Sequence, residues 1–238
     1  MSTDAALSSE TGRSLPPWES VLAVVAHPDD ESFGLGAVVD AFAARGSRVT
    51  VLCLTEGESS TLGAGINLAK MRRDELETAS HELGVSGTVL HHHPDGDLSS
   101  VCRHVLAGEV IDEVGASHAE GLLVFDATGV TGHPDHAAAT SASMLAAEVL
   151  DLPVLAWTLP TAVADRLNEE LGGSAFSGCA PEEIDLRITV DRAHQIAASR
   201  AHHTQAVPSS PLWRRLELLG DTEHLRWLRR QSATTADA

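Results

Sequence analysis

Short runs of β-branched and aliphatic residues alternate along this chain with stretches of helical periodicity, and that alternation narrows the fold more than any other feature. Val21–Ala26 (VLAVVA), Arg48–Leu54 (RVTVLCL) and Gly121–Phe125 (GLLVF) are near-continuous apolar runs bounded by polar residues. Such runs are the mark of strands covered on both faces. Thr88–His91 is a weaker strand, and Pro153–Thr158 and Ile184–Val190 are later ones. Between them the spacing predicts helices over about Phe33–Ala44, Leu68–Leu83, Val101–Val114, Ala137–Leu150, Ala162–Leu171 and Ala193–His203. A β-α-β-α order of this kind predicts a Rossmann-like α/β fold, a three-layer sandwich with a mostly parallel sheet and helices on both faces. In such sheets ligands gather beyond the carboxyl ends of the strands.

Residues 1–16 are small and polar without an apolar stretch, so they read as a frayed tail and not a signal peptide. Residues 233–238 read as a second tail, which leaves one domain over 17–232. No run approaches the roughly 18 apolar residues of a membrane span. With 34 acidic against 16 basic side chains the formal charge is −18. That field repels phosphate, which argues against a nucleic-acid or anionic-membrane partner. Three scattered cysteines (Cys53, Cys102, Cys179) form no disulfide framework and suit a reducing cytoplasm. There is no tyrosine and one lysine, Lys70, but there are 13 histidines, and their placement is informative.

Directly after the first strand stands Ala26-His27-Pro28-Asp29-Asp30-Glu31, and after the strand at Gly121–Phe125 a loop ends in His133-Pro134-Asp135-His136. Both clusters therefore fall at the ligand edge of the sheet. In each, proline fixes φ and holds its neighbours in a defined turn. Two imidazoles with one carboxylate are a common hydrolytic zinc set that keeps a fourth position open, and the absence of cysteine ligands favours a catalytic over a structural metal.

These residues resemble the zinc-dependent N-acetylglucosaminyl deacetylases of the LmbE/PIG-L type, with their [AG]-HPDDE near the amino terminus and HPDH about a hundred residues on. The likeness spans roughly residues 20–205. It takes in Leu54-Thr55-Glu56-Gly57-Glu58 with Ser60-Thr61-Leu62-Gly63, the helix pattern Arg72…Glu75…Ala79…Leu83-Gly84, the Pro94-Asp95-Gly96 turn and His202-x-Thr204-Gln205. The resemblance implies zinc ligation by His27, Asp30 and His136, with iron as the other metal an N/O site accepts. It implies Asp29 as general base, His133 as the charged partner and general acid, and Asp135 holding His133 by a hydrogen bond and raising its pKa. The implied reaction removes acetyl from an N-acetylglucosamine-type sugar or glycoside, releasing amine and acetate. Actinobacterial thiol-pathway members carry a tyrosine two residues before the first His of HPDH, where this chain has Thr131.

Other residues carry weaker signals. Arg72 is a contact for a sugar hydroxyl or an anionic aglycone, or else a surface partner of Glu75. Glu31 suits the dipole of a helix entrance. His91-His92-His93 read as loop histidines after a strand, and His202 as either site-facing or packed in its helix. Leu212–Leu216 and Leu225–Arg230 mix aromatic, aliphatic and basic residues as a basic amphipathic helix would; on so acidic a chain they fit intramolecular docking or a homo-oligomer interface. Two other functions are compatible: an amidase for a larger thiol-conjugate or antibiotic-pathway amide, and a non-catalytic metal or sugar-nucleotide binding module. Binding alone needs neither Asp29 nor His133.

Overall fold

In the computed structural model the chain is described at Gly12, over residues 14–63 and over residues 67–232. Five parallel strands form the body of the sheet: β1 (Ser20–Val25), β2 (Arg48–Thr55), β3 (Gly87–His93), β4 (Gly121–Phe125) and β5 (Val154–Thr158). The last two, β6 (Leu186–Thr189) and β7 (Thr222–Arg229), complete the order β3-β2-β1-β4-β5-β7-β6. β7 runs antiparallel to both β5 and β6. The helices are α1 (Asp30–Phe33), α2 (Gly36–Ala44), α3 (Leu68–Glu82), α4 (Arg103–Ser117), α5 (Pro134–Leu150), α6 (Thr161–Leu171), α7 (Ala193–Ala201) and α8 (Pro211–Leu219).

The continuous apolar strands bury both faces. Val21, Ala23 and Val25 of β1 enter one core with Phe42 of α2, Leu76 of α3 and Leu167 of α6. Leu22 and Val24 enter the other with Val110 of α4 and Ala142 of α5. The period of two along a strand produces this division, and the helices cover both sides. The expected three-layer α/β architecture is therefore present.

Three expectations need correction. The helix predicted from about Phe33 to Ala44 begins at Gly36, as α2, and a separate short helix, α1, precedes it. The Asp30 carbonyl accepts from both Gly34 and Leu35, a widened turn that ends α1, and a Cβ on Gly34 would fall 2.3 Å from the Phe125 ring. The tail reading of residues 1–16 fails where the chain is described: Gly12 exchanges backbone hydrogen bonds with Asp185 and Arg187 beside β6, and Leu15 packs on the core. The remainder of that stretch, and residues 233–238, lie outside the described residues.

The third concerns Leu225–Arg230, which is strand through Arg229 and not amphipathic helix. Both edges of β7 are paired, and helices cover both faces, so adjacent Trp227 and Leu228 find separate cores. Its arginines are matched within the chain, Arg226 to Asp126, Arg229 to Asp151 and Arg230 to Asp185. Leu212–Leu216 is helical, in α8, with Arg214 bound to Glu170 of α6. No helix among the described residues is long and apolar enough to cross a membrane.

Candidate active site

From β1 the chain proceeds outward through β2 to β3 on one side, while β4 and β5 lie on the other, so the strand order reverses between β1 and β4. A crevice opens at the carboxyl ends of the strands flanking such a switch point. The two His-Pro-Asp clusters occupy those two ends, and they line an open cavity of about 440 Å³.

Three donor side chains converge there. His136 Nε2 is 3.3 Å from His27 Nδ1 and 3.1 Å from one oxygen of Asp30, and His27 Nδ1 is 3.4 Å from the other oxygen. Ligands at about 2.0–2.1 Å from a tetrahedral zinc stand about 3.3–3.4 Å apart, so these spacings fit one small dication. His27, His133 and His136 also form a candidate metal group, with one nitrogen of each ring within 4.8 Å of the others, while the Asp30 oxygens stand at 3.1 and 3.4 Å from His136 and His27.

The far nitrogens settle which lone pairs face inward. His136 Nδ1 donates to the Gly129 carbonyl at 3.1 Å, with Thr131 Oγ1 at 3.0 Å. His27 Nε2 faces Asp95 at 3.1 Å and Asp135 at 3.3 Å. A carboxylate or carbonyl on the outer N–H is the usual device that orients a metal-binding imidazole. Charge points the same way: Asp29, Asp30, Asp95 and Asp135 surround the cluster, and among the described residues Arg72 is the one guanidinium paired with any of them. Although burial pushes the Asp30 carboxyl up, His136 and His27 hold it well below the usual carboxylate range.

Asp29 stands beside this triangle. Its φ of 134° is in a region that non-glycine residues avoid. The surrounding bonds enforce it: its N–H donates to Glu31 at 2.9 Å, its carbonyl accepts from Phe33 at 2.7 Å, and its carboxylate meets Arg72 Nη2 at 3.0 Å. Burial pushes its carboxyl up to about 6, against the pull of Arg72.

The PIG-L model, described as GlcNAc-PI de-N-acetylase, matches residues 22–147, more than half of the chain and both clusters. The chain belongs to the PIG-L family. A 1D-myo-inositol 2-acetamido-2-deoxy-alpha-D-glucopyranoside deacetylase of Salinispora arenicola is 30% identical over 249 residues, covering 83% of this chain and 79% of that protein. Among solved structures, the A40926 pseudoaglycone deacetylase superposes with a TM-score of 0.68 at 22% identity, covering 90% of this chain and 99% of that one. A 4-carboxy-2-hydroxymuconate hydratase of Pseudomonas putida gives 0.64 at 17%, covering 92% and 100%. At those identities the likeness is one of fold, and the hydratase shows that this fold carries more than one reaction.

Within this PIG-L frame His27, Asp30 and His136 come together as expected, with Asp29 and His133 beside them. Asp135 does not hold His133 through its carboxylate. That group accepts from the Gly96 N–H at 2.8 Å, the Leu98 N–H at 3.0 Å and faces His27, while the Asp135 backbone N–H donates to His133 Nδ1 at 3.3 Å. The expected rise of the His133 pKa is reversed: burial and the neighbouring His27 and His136 lower it, and Asp135 opposes them without winning.

Arg72 lines the floor of the cavity, and its guanidinium is engaged within the protein. It is 3% exposed, and besides Asp29 it donates to the Gly57 carbonyl at 2.7 Å and the Pro28 carbonyl at 2.5 Å. Glu75 is not its partner but accepts from the Thr204 N–H and hydroxyl. Glu31, expected at a helix entrance for its charge, is fully buried and bonds His202 Nε2 at 2.6 Å as well as the Asp29 N–H. His202 therefore supports the site from behind. Asp95 escaped the site reading, and its one signal was the Pro94-Asp95-Gly96 turn. His91–His93 belong to β3 itself and not to a loop.

Proposed function

We propose that the chain is a zinc-dependent deacetylase acting on an N-acetylglucosamine-type sugar or glycoside. The observation that carries this reading is the His27–Asp30–His136 triangle with a further, partly exposed carboxylate, Asp29, at its side in an open cavity. His27 Nδ1, one Asp30 oxygen and His136 Nε2 would hold the ion. Bound zinc supplies a Lewis acid that makes a water acidic near neutral pH and polarises an acetamide carbonyl.

The chain's own groups then move the protons. Asp29, with its carboxyl near pH 6, takes a proton from the attacking water and is poised to return it near neutrality. Arg72 and Glu31 keep that carboxylate in one place, so little reorganisation is needed at the moment of reaction. His133 Nδ1 is occupied by the Asp135 N–H, which leaves Nε2–H as the donor of a neutral ring lining the cavity. That N–H stabilises the negative charge that builds on the carbonyl oxygen. A neutral imidazole is a poor proton source for the leaving amine, so the protonated Asp29 delivers it, and amine and acetate leave.

The named activity of the Salinispora arenicola relative supports a GlcNAc glycoside as substrate, and the acidic field of the chain disfavours polyanions. Thr131 stands against His136 where thiol-pathway relatives have tyrosine, so the aglycone need not be theirs. The unpaired cysteines Cys53, Cys102 and Cys179 fit a cytoplasmic setting. Free-amine release from a panel of N-acetyl sugars, GlcNAc glycosides and larger amides tests the reading. Release from the sugars by zinc-loaded protein, abolished by chelation, is the expected result; release from none of them would refute it.

A further inference from the structure

Outside the candidate active site, β3 and α4 bring three metal-ligand side chains together on the sheet's outer edge. His93 Nε2 lies 2.8 Å and His91 Nδ1 3.1 Å from the same oxygen of Glu109. The two rings are stacked at 6.0 Å with an interplanar angle of 28°. Val89 and His91, two apart, share the face of β3 that α4 covers, and Val89 joins the core there. Between Leu90 and His93, β3 carries one residue more than β2 opposite, a bulge of the kind that re-aims side chains at a sheet edge. His92 points elsewhere, 3.2 Å from Glu56.

We propose that His91, His93 and Glu109 form a second divalent-cation site of the zinc type, separate from the His27–Asp30–His136 triangle. Two imidazoles and a carboxylate are a zinc donor set, and the three donor atoms lie within 4.8 Å of one another. Both imidazoles face the same Glu109 oxygen, so a single ion set among them would meet one atom from each side chain. All three side chains are half-buried, between 18% and 29% exposed, so the backbone holds them while an ion can reach them. Glu113, one turn further along α4, adds a negative charge near His91.

The position gives the site a consequence. His93 ends β3 and Glu109 stands in the second turn of α4, so an ion there ties both stems of the loop 94–102. That loop carries Asp95, which faces His27, and the Gly96 and Leu98 N–H groups, which hold Asp135. A cation at the edge therefore stiffens the support behind a ligand of the active site.

Zn²⁺ titration of the full chain by calorimetry, with metal counted by mass spectrometry, tests this. The unmodified protein is expected to bind one equivalent more than either the His91→Ala/His93→Ala double variant or Glu109→Gln, whose amide keeps the side-chain volume. His92→Ala should keep that equivalent. Zn²⁺ beyond the first equivalent should raise the melting temperature of the unmodified protein and of His92→Ala only. Equal stoichiometry in the unmodified protein and either variant would overturn the proposal, as would loss of the extra equivalent in His92→Ala. Because the readout is a difference between chains with identical active sites, it does not depend on the deacetylase reading.

Discussion

Arg72 Nη2 meets Asp29 Oδ2 at 3.0 Å beneath the cavity, and the arginine is almost wholly enclosed there. The pair couples a helix residue on α3 to the strained turn after β1, so the base is held by an element distant in sequence. Arg72→Met would leave the largely enclosed Asp29 carboxylate without its cation. The expected cost is about 3 kcal/mol of stability, typical of breaking a buried pair. Because Arg72 pulls the Asp29 pKa down, its loss should move the acidic limb of the kcat/KM profile to higher pH. Denaturant unfolding and a pH–rate profile check both.

Gly57 guards that arrangement. It has a φ of +64°, and a Cβ there would fall 2.0 Å from Arg72 Nη1. Gly57→Ala is expected to cost about 1–3 kcal/mol for the strained backbone. It should also reproduce the pH shift of Arg72→Met, because the guanidinium must move. An unchanged profile would mean that Arg72 does not govern Asp29.

Asp135 should behave as a support of His27 and not of His133. Asp135→Asn keeps the backbone N–H that reaches His133 but weakens the acceptors for His27, Gly96 and Leu98. Loss of such an outer partner typically lowers metal affinity about 10- to 100-fold. Competition with a chelator of known affinity measures it. A change in the His133 titration with metal affinity untouched would restore the first assignment.

Stability should carry a signature of His224 on β7. Burial first, and then Arg187 and Arg192, push its pKa down to about 4 from 6.5. The folded state thus binds fewer protons than the unfolded one between those values. Its contribution is complete above pH 6.5 and declines as pH falls toward 4. Relative to the unmodified protein, His224→Gln should become comparatively more stable over that window, by a slope of at most about 1.4 kcal/mol per pH unit. Urea melts at about pH 7, 6 and 5 give the comparison.

Much of this was legible in the residues because strand runs and strand-end motifs are local. Val21–Ala26 and Gly121–Phe125 announce buried parallel strands, and the residues just past each must lie at the ligand edge, so His27, Asp30 and His136 could be named together. β7 was hidden because Trp227-Leu228 puts two large apolar residues side by side, which breaks a period of two unless both faces are covered. The supports of the site were hidden for another reason. Asp135 and His27 are 108 residues apart, and only folding shows that the carboxylate turns to His27 while the backbone beside it serves His133. Arg72 read as a substrate contact or a surface partner of Glu75 because its neighbours in sequence do not reveal that Gly57 leaves room for its guanidinium.

A paired measurement on Asp29→Asn bears hardest on the proposed chemistry. The substitution preserves volume and leaves His27, Asp30 and His136 in place, so the variant should retain the active-site zinc at the stoichiometry and affinity of the unmodified protein. It should release amine from a GlcNAc glycoside at least about 100-fold more slowly, the scale of lost general base catalysis. Undiminished turnover with zinc retained would contradict the role of Asp29. Loss of the metal would show that Asp29 is itself a ligand, and the proposed division between ligands and base would be wrong.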